Sequence, residues 1–444
     1  MDDPHGVVEL VARRSYGRLV AYLSARTRDV AAAEDALGDA FMAAMRTWPR
    51  DGVPINPEAW LLTTARRRLI DQARHQRVRA DAAEALRLVI RETEAQTDGF
   101  FPDERLKLLF VCAHPAIDRS VHTPLMLQVV LGLDAATIAN AFLTLPATMG
   151  QRLSRAKTKI RDAAIAFEIP DRHELTERLD AVLDAIYAAY GSGWDDVAGA
   201  DPRRRGLTQE AIWLARVLLE LMPDEPEARG LLALMLFCEA RRPARRSADG
   251  AYVPMLEQDT RLWSAELIRE AETMLAGAAA QHRSGRFQLE AALQSAHIDS
   301  ARTGETNWQV IAVLYEGLVR AAPTIGARVG RAAALAEARA PADGLAALDA
   351  IEADAARNYQ PYWAVRAHVL SRLGRERDAL TAFDRAIELT GDPAIAQFLS
   401  ARRAQVHSTP CSNQTRSPVT MIQSALADAP STAEGATRQP PDGE

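Results

Sequence analysis

The residues best suited to chemistry are arginines concentrated in one segment, residues 55–77. Between residues 64 and 79 the chain carries six arginines and a single acidic residue, Asp71. Asn56 is a favourable N-cap and Pro57 suits the first helical turn, so the sequence predicts a helix that begins here. A helix that concentrates positive charge in this way can follow the phosphates of a nucleic acid.

The outward positions of this predicted helix are polar or cationic, whereas its apolar positions recur at helical spacing and predict a buried stripe. Thr63, Arg67 and Arg74 share one outward face, and Arg66 and Arg77 lie on a neighbouring one. Two tryptophans near its start, Trp48 and Trp60, would stack on exposed bases. The alternative is a solvated arginine face above core tryptophans, and this segment alone does not decide between the two.

A second cationic segment, residues 132–164, has the spacing of two helices joined by a tight turn. The sequence predicts a short helix from Asp134 to Phe142, a turn over 143–145, and a second helix with Pro146 in its first turn. This is the spacing of a helix-turn-helix motif. The apolar stripe of the second helix comprises Met149, Leu153, Ala156 and Ile160.

The exposed face of that second helix is predicted to be polar throughout. It comprises Thr148, Gln151, Arg152, Arg155 and Lys159. Between residues 151 and 161 there are five cations and no acidic residue. Arg and Lys can read guanine in the major groove while the other polar groups hold phosphates. An ordinary helical hairpin with a basic surface is the alternative.

The composition is that of a globular protein and excludes a membrane protein. Of the 444 residues 48% are hydrophobic and 25% charged, and no apolar run approaches the roughly 18 residues of a membrane span. The N-terminus is acidic and lacks the apolar core of a signal peptide, so we expect a cytoplasmic protein. Residues 1–165 hold 23 Lys+Arg against 20 Asp+Glu, and the rest 30 against 39. A polyanionic partner is therefore expected for the first third only.

No motif of a catalytic or cofactor site occurs in the sequence. The three cysteines, Cys112, Cys238 and Cys411, have no paired spacing and predict neither a disulfide nor a zinc site. His114 and His122 lie near Cys112, where packing is favoured over metal binding. The sequence contains no P-loop and no nucleophile elbow. We therefore expect no enzyme, no metal and no cofactor.

Helical periodicity dominates the chain, so the predicted fold is all-α. Three helical patterns at the start are broken near residues 28–29 and by a predicted loop over residues 48–55. From about residue 171 to 400, helical segments alternate with turns, which is typical of stacked helix pairs. Residues 361–393 have tetratricopeptide spacing, and 326–355 is interpreted as an earlier copy. The predicted seam residues are Ala332, Gly344, Leu348, Ile351, Trp363, Ala367, Leu370, Gly374, Ala379, Phe383 and Ala386.

In their order and separation the two cationic segments resemble regions two and four of extracytoplasmic-function sigma factors, which belong to the sigma-70 family. The resemblance covers about residues 1–165. Residues 29–48 resemble the acidic helix that docks on the β′ clamp helices of RNA polymerase. This implies that Glu34, Asp35 and Asp39 contact the polymerase.

The resemblance also assigns DNA contacts. Residues 49–77 resemble the part of region two that opens and reads the minus-ten element, and Arg152 to Lys157 match the recognition helix for the minus-thirty-five element. The implied minus-ten contacts are Trp48, Asn56, Trp60, Thr63, Arg66, Arg67 and Arg74. Lys157 joins the outward residues of the recognition helix as an implied minus-thirty-five contact.

The rest of the chain is similar to the subgroup of these factors with a tetratricopeptide-like C-terminal extension. The predicted divisions are 1–79 (region two), 80–99 (linker), 100–168 (region four), 169–403 (extension) and 404–444 (disordered tail). The resemblance implies a promoter-recognising initiation factor whose partners are core RNA polymerase, through its β′ clamp helices and β flap, and promoter DNA, both duplex and melted. The extension would modulate activity by a protein or intramolecular contact. The alternative is a helical-repeat interaction scaffold with vestigial DNA-binding domains.

Overall fold

The computed structural model describes residues 3–77, 103–142, 144–194 and 206–406. Regular secondary structure within these residues is helical, apart from one isolated bridge between Arg246 and Tyr252. The predicted all-α fold is confirmed. The predicted linker at residues 80–99 lies outside the described residues, as does the predicted tail beyond residue 406.

Local signals explain where the first three helices begin and end. They are α1 (Pro4–Thr27), α2 (Val30–Asp51) and α3 (Pro57–Arg77). Arg28 has a left-handed φ of 55° between α1 and α2, and the Asp29 carboxylate then accepts a hydrogen bond from the Ala32 amide at 3.0 Å. The Asn56 side chain accepts one from the Ala59 amide at 3.0 Å and caps α3. The predicted break between α1 and α2 is confirmed.

Helix α2 is longer than the sequence analysis predicts. It continues from Trp48 through Pro49 to Asp51 and stops at Gly52, whose φ is 86°. The Gly52 amide donates to the Trp48 carbonyl at 3.0 Å, so the last turn closes despite the proline. The predicted loop is therefore wrong for residues 48–51, and Trp48 stays in register with the buried stripe of α2.

Five further helices follow among the described residues between 103 and 194. They are α4 (Arg105–Cys112), α5 (Arg119–Val129), α6 (Ala135–Ala141), α7 (Pro146–Asp162) and α8 (Arg172–Trp194). Helix α6 begins and ends within one residue of the predicted helix from Asp134 to Phe142. Helix α7 begins at Pro146, which the sequence analysis places in the first turn of the second helix. The Asp134 carboxylate caps α6 by accepting from the Thr137 amide at 2.8 Å. The predicted stripe of α7 is buried in full: Met149, Leu153, Ala156 and Ile160.

Helix α8, which the sequence analysis assigns to the extension, packs against α4 and α5. Arg178 on α8 is buried, donates to the Phe110 carbonyl at 3.3 Å and pairs with Glu174 at 2.6 Å. The first compact unit of the chain accordingly runs to Leu214, and the second begins at Ala215. The predicted domain boundaries themselves stay predictions.

Within the first unit, α1 packs closely on the end of α5. A Cβ atom added at Gly17 would lie 1.7 Å from the Val130 carbonyl oxygen. Because backbone atoms cannot yield by that amount, only glycine permits the two segments to approach so closely. The first three helices and the following group are therefore directly in contact.

The second unit is an array of helices in which each contacts its neighbours along the chain, a solenoid-like arrangement. Helix α9 (Leu207–Leu221) spans the point where the two units divide. The remaining helices are α10 (Pro226–Arg241), α11 (Ala265–Ala279), α12 (Arg286–Thr303), α13 (Trp308–Ala321), α14 (Ile325–Ala338), α15 (Pro341–Asp349), α16 (Ala353–Ala356), α17 (Gln360–Arg372), α18 (Glu376–Leu389) and α19 (Pro393–Gln405). Three short 3-10 turns lie between α10 and α11, at Arg242–Ala244, Met255–Glu257 and Thr260–Leu262.

The predicted seam of small and aromatic residues lies at one core cluster over α14 to α19, with the exception of Gly374. That glycine is exposed, with open space around it and a left-handed φ of 72°, so its prediction as a seam residue is wrong. The buried members of the cluster include Ala332, Leu348, Ile351, Ala367, Leu370, Ala379, Phe383 and Ala386, and Trp363 packs against them. At Gly344 an added Cβ would lie 2.5 Å from the Ala336 Cβ and 2.7 Å from the Ala332 carbonyl oxygen. The absence of a side chain there allows α14 and α15 to pack closely.

The segment between α10 and α11 is anchored to the last helix of the array. Arg246 forms an ion pair with Asp392, and the Tyr252 and Phe398 rings meet edge to face with centroids 5.4 Å apart. Residues 246 and 392 are 146 positions apart in the sequence, so this contact closes a long loop of chain. Among the residues that the structure describes, no helix is long and apolar enough to cross a membrane.

Candidate nucleic-acid interface

The clearest cationic surface is the outward face of α7. Gln151, Arg152, Arg155 and Lys159 are exposed, and Thr148 is half-buried at the start of the helix. The opposite side of the same helix is the buried apolar stripe, so packing fixes which side chains point to solvent. Arg and Lys at this spacing can reach base edges and phosphates of a duplex without any rearrangement of the helix.

Lys157, on the same helix, is placed differently from the other predicted contacts. Its Nζ lies 2.6 Å from Oε2 of Glu34 on α2, and the two side chains are only 16% and 12% exposed. The Tyr16 hydroxyl donates to Oε1 of Glu34 at 3.2 Å. Burial and the Glu34 carboxylate raise the pKa of Tyr16, so its hydroxyl stays protonated and remains a donor. A predicted DNA contact and a predicted polymerase contact are thus bound to each other in this conformation.

The other two predicted polymerase contacts face solvent. Asp35 and Asp39 are exposed on α2, and Asp39 Oδ2 lies 3.9 Å from the Arg68 Nε. Met42 and Met45 are also exposed, at 55% and 44%, which the sequence analysis did not anticipate. The sequence could have indicated this exposed face, because positions 35, 39 and 42 recur at i, i+4 and i+7 and therefore share one face of the helix. A mixed acidic and apolar stripe results.

Only some of the residues that are predicted to face outward on α3 are fully exposed in the structure. Thr63 and Arg67 are exposed, whereas Arg66 is half-buried. The Arg66 guanidinium donates to the Tyr22 hydroxyl, which fixes its direction. Arg74 lies within α3, but its side chain is outside the described residues, so its role stays a prediction.

A further arginine joins this surface from α1. The Arg26 guanidinium lies 3.5 Å from the Tyr22 ring centroid, and that of Arg66 lies 5.2 Å from it. Tyr22 is buried and is therefore a fixed support for both cations. Sequence reasoning missed Arg26 because its proximity to Arg66 depends on the packing of α1 against α3. The one signal in the sequence is the spacing of four residues between Tyr22 and Arg26 on α1.

Trp48 does not display its ring to a nucleic acid. It is 2% exposed and packs edge to face on Trp60, with ring centroids 5.5 Å apart. The prediction that Trp48 stacks on an exposed base is therefore wrong in this structure, because α2 stays helical past residue 48 and turns the ring inward. Trp60 is half-buried, and Ile55 in the preceding loop is fully exposed. Asn56 is exposed and caps α3; its contact with DNA stays a prediction.

The cysteine and histidine group near α4 and α5 is a packing feature. Cys112 is buried, and that burial raises the pKa of its thiol, so the reactive thiolate is suppressed. His122 is buried and its Nε2 lies 3.0 Å from the Ile117 carbonyl oxygen. Within the described ranges no three His, Cys, Asp or Glu residues are grouped to hold a metal ion.

Comparison with known proteins identifies the class of protein that these helices form. The family model described as Sigma-70 region 2 matches residues 11–79. A family of unknown function (DUF6596) matches residues 178–279. The chain is 37% identical over 392 residues to an uncharacterized protein from Rhizobium meliloti (strain 1021). The aligned residues cover 87% of this chain and 92% of the relative. No solved structure matches the chain.

The match to Sigma-70 region 2 over residues 11–79 identifies the class of protein as a transcription initiation factor. This chain belongs to the sigma-70 family, whose members act in transcription initiation. Core RNA polymerase and promoter DNA are accordingly its partners. Helices α1 to α3 correspond to the matched region two, and the second matched segment covers α8 to α11.

Proposed function

We propose that this chain is an extracytoplasmic-function-type sigma factor that recognises two promoter elements with separate helices. Helix α7 reads the minus-thirty-five element in the major groove, and α3 with the loop before it reads the minus-ten element. The observation that carries the proposal is α7, whose apolar stripe is buried while Gln151, Arg152, Arg155 and Lys159 face solvent.

In the minus-thirty-five complex Arg152 and Arg155 contact base edges and Lys159 holds a phosphate. Guanidinium groups bind guanine in a bidentate manner, whereas an ammonium acts as a point charge. Each bidentate contact contributes about 1–3 kcal/mol of discrimination against the wrong base pair. Gly150 has open space around it and offers no side chain, so its neighbours must supply the readout at that position.

At the minus-ten element α3 supplies the cations and the preceding loop supplies apolar surface. Arg67 is exposed, whereas Arg66 is half-buried and held by Tyr22, so the two supply cations on neighbouring faces of the helix. Ile55 is fully exposed, and Trp60 presents part of its ring behind it. Apolar and aromatic groups of this kind pack against unstacked bases of a melted strand.

The acidic stripe of α2 binds the polymerase through Asp35 and Asp39, with Met42 and Met45 adding apolar contact. Methionine is well suited to such a surface because its flexible side chain adapts to its partner. We place the factor in the cytoplasm, where the polymerase acts. The chain makes and breaks no bond itself, and its extension, built of tetratricopeptide-like helix pairs, modulates promoter activity by contact with a protein or with the rest of the chain.

Run-off transcription with purified core polymerase tests this function directly. We expect the full chain to start RNA synthesis at a discrete set of genomic fragments. Arg152→Ala and Arg155→Ala should each weaken promoter binding by about 5- to 150-fold, equivalent to 1–3 kcal/mol. Arg377→Ala, which removes an exposed arginine from the second unit, is the matched control and should leave binding unchanged.

The salt dependence of binding separates a sigma factor from a peptide-binding scaffold. Affinity for duplex DNA should fall steeply with salt, and Lys159→Ala should reduce the log–log slope by about 0.9. Failure to start at any promoter, together with failure to bind core polymerase, would overturn the proposal.

A further inference from the structure

Helix α1 carries a run of positive charge that lies outside the two predicted DNA-reading segments. Between residues 10 and 28 the chain has five arginines and no acidic residue. Arg14, Arg18, Tyr22 and Arg26 follow one another at intervals of four residues, so they lie along one side of the helix. Three cations in such a row, with a tyrosine among them, favour contact with a polyanion.

Tyr22 holds two arginines that come from different helices. Its side chain is 1% exposed, so the ring and the hydroxyl have fixed positions. The Arg26 guanidinium carbon lies 3.5 Å from the ring centroid, and its Nη1 donates to the Tyr22 carbonyl oxygen at 3.2 Å. Arg66 of α3 donates to the Tyr22 hydroxyl, and its guanidinium carbon lies 5.2 Å from the same centroid. We call Arg26 and Arg66 the arginine pair.

The two guanidinium groups of the arginine pair are close enough to share one anion. Both distances are measured from the Tyr22 centroid, so the two carbons are separated by no more than the sum of those distances. The contacts of Arg66 with the described residues are to the hydroxyl and ring of Tyr22, and no carboxylate among those residues forms an ion pair with it. Like charges at this separation repel each other, and an anion between them removes the repulsion.

A phosphodiester group suits this position. Its two non-bridging oxygens accept charge-assisted hydrogen bonds from two guanidinium groups at once. Helix α1 packs against α3, on which Thr63 and Arg67 are exposed. A DNA strand that follows α3 therefore passes the end of α1 that carries Arg26.

We propose that the arginine pair binds one phosphate of the promoter strand at the minus-ten element and that Tyr22 is the residue that positions the pair. The inference rests on the proposed function. It adds a phosphate contact from α1, which the predicted minus-ten segment does not include. Tyr22 itself does not touch the DNA, because its side chain is covered.

Positioning by Tyr22 increases affinity because the two side chains are ordered before DNA binds. A mobile arginine loses rotamer freedom when it takes hold of a phosphate, whereas one held on a ring has lost much of it during folding. Loss of either guanidinium should weaken binding by about 10-fold or more, since the bond is charge-assisted. Loss of the Tyr22 hydroxyl alone should weaken binding by about 2- to 10-fold.

The test replaces single phosphates of the DNA with methylphosphonate, which carries no charge. A premelted form of a promoter found by run-off transcription carries one such group at each position of the minus-ten region in turn. Each DNA is titrated with holoenzyme formed from core polymerase and the full chain. We expect one position at which the uncharged group weakens wild-type binding by about 10-fold or more. At that position Arg26→Ala and Arg66→Ala should each lose most of the difference between charged and uncharged DNA.

Tyr22→Phe tests the positioning role without disturbing the packing of the ring. It keeps the contact with Arg26 but removes the acceptor of Arg66, so the effect of the uncharged phosphate should shrink while the melting temperature stays near that of the wild type. Tyr362→Phe is the matched control in the second unit. Tyr362 is also buried, and its hydroxyl accepts a hydrogen bond from Arg366 at 3.2 Å. This variant should leave DNA binding unchanged.

Arg67→Ala separates the arginine pair from the other cations of α3. Arg67 is exposed and is the next residue after Arg66. Its loss should weaken binding to charged DNA but leave the effect at the position assigned to the pair intact. A variant that is only destabilised would instead weaken binding to charged and uncharged DNA alike and would melt at a lower temperature.

The outcomes separate the arginine pair from the sigma function. An undiminished effect of the uncharged phosphate in both Arg26→Ala and Arg66→Ala overturns the arginine pair even if promoter-dependent transcription is normal. An undiminished effect in Tyr22→Phe overturns the positioning role of Tyr22. If wild-type holoenzyme neither binds nor transcribes any promoter, the proposed function fails, and the inference fails with it.

Discussion

The cations of this factor fall into those that face solvent and those held by neighbours. Arg152 and Arg155 are exposed on α7, whereas Lys157 is paired with Glu34 and Arg66 is bonded to Tyr22. An exposed cation can exchange its hydration for a phosphate at little cost, but a paired one must first lose its partner. Equal residue types on one helix therefore do not make equal contributions to DNA binding.

Substitution of Trp48 tests whether its ring stabilises the fold or binds bases of the melted DNA strand. Because the side chain is 2% exposed, Trp48→Ala should lower the free energy of unfolding by about 3–5 kcal/mol. Urea denaturation and hydrogen exchange in α2 and α3 measure the loss. Met45→Ala, which truncates an exposed side chain of the same helix, should change stability by less than about 0.5 kcal/mol. If Trp48→Ala instead keeps its stability and loses binding to single-stranded DNA, the ring contacts the bases directly.

His297 should make the second unit sensitive to acid. Burial, with a smaller effect of Arg241, lowers the pKa of His297 to about 3 from its usual 6.5, and its ring meets Trp308 edge to face. The unfolded chain therefore binds a proton between pH 6.5 and 3 that the folded chain does not, so stability is complete above pH 6.5 and falls as the pH drops.

The expected loss from His297 between pH 6 and pH 4 is roughly 2–3 kcal/mol. His297→Leu should remove that part of the acid dependence, whereas the exposed His282→Asn should retain it. Hydrogen exchange of α12 amides at both pH values gives the measurement. Equal acid dependence in His297→Leu and the wild-type chain would show that this histidine is protonated in the folded state.

At the scale of elements, capping and close approach determine how helices are positioned. Glu227 on α10 accepts hydrogen bonds from the Phe287 and Gln288 amides at 2.9 and 3.2 Å, and so caps α12 from another helix. Such a carboxylate satisfies amides that the helix itself cannot. The helix array is therefore joined by polar contacts at its ends as well as by its apolar seam.

Gly344 tests the close approach between α14 and α15. Gly344→Ala should lower stability by about 1–3 kcal/mol, because the new methyl group would overlap Ala336 and the Ala332 carbonyl oxygen. Gly38→Ala, in an open position on α2, should instead raise stability by about 0.5–1 kcal/mol. Hydrogen exchange of each unit records the two effects separately, and a stabilising effect at Gly344 would show that the helices can separate freely.

At the scale of the whole molecule, α8 packs with α4 and α5, in the part of the chain that contains the proposed recognition helix α7. Leu179, Val182 and Ile186 on α8 are buried, and the helix covers α4 and α5. A chain that ends at Glu168 should therefore lose cooperative unfolding of α4 and α5 and bind minus-thirty-five duplex poorly. A chain that ends at Met222 retains these contacts and should bind that duplex as the full chain does. Equal melting temperatures for the two fragments would contradict this assignment.

The chain that ends at Met222 also tests whether the extension modulates promoter activity. If the extension modulates activity, run-off transcription by the chain ending at Met222 should differ from that of the full chain at equal polymerase binding. Higher activity indicates inhibition by the extension, and lower activity indicates a required contact. Identical transcription activity of the chain ending at Met222 and the full chain would show that the extension does not modulate activity.

Several features follow from the sequence because they depend on neighbours in the chain. Periodicity of 3.6 residues separates Met149 and Leu153 from Arg152 and Arg155, and the cap at Asn56 with Pro57 defines the start of α3. The all-α fold and the seam of the helix array were predictable for the same reason.

Tertiary structure decided the features that join distant parts of the chain. Glu34 and Lys157 are 123 positions apart, so no periodicity indicates that they meet. The inward turn of Trp48 and the packing of α8 on α4 and α5 likewise depend on which surfaces remain to be covered after each helix has formed. Local propensity determines the faces of a helix, but burial in three dimensions determines which face is covered and by what.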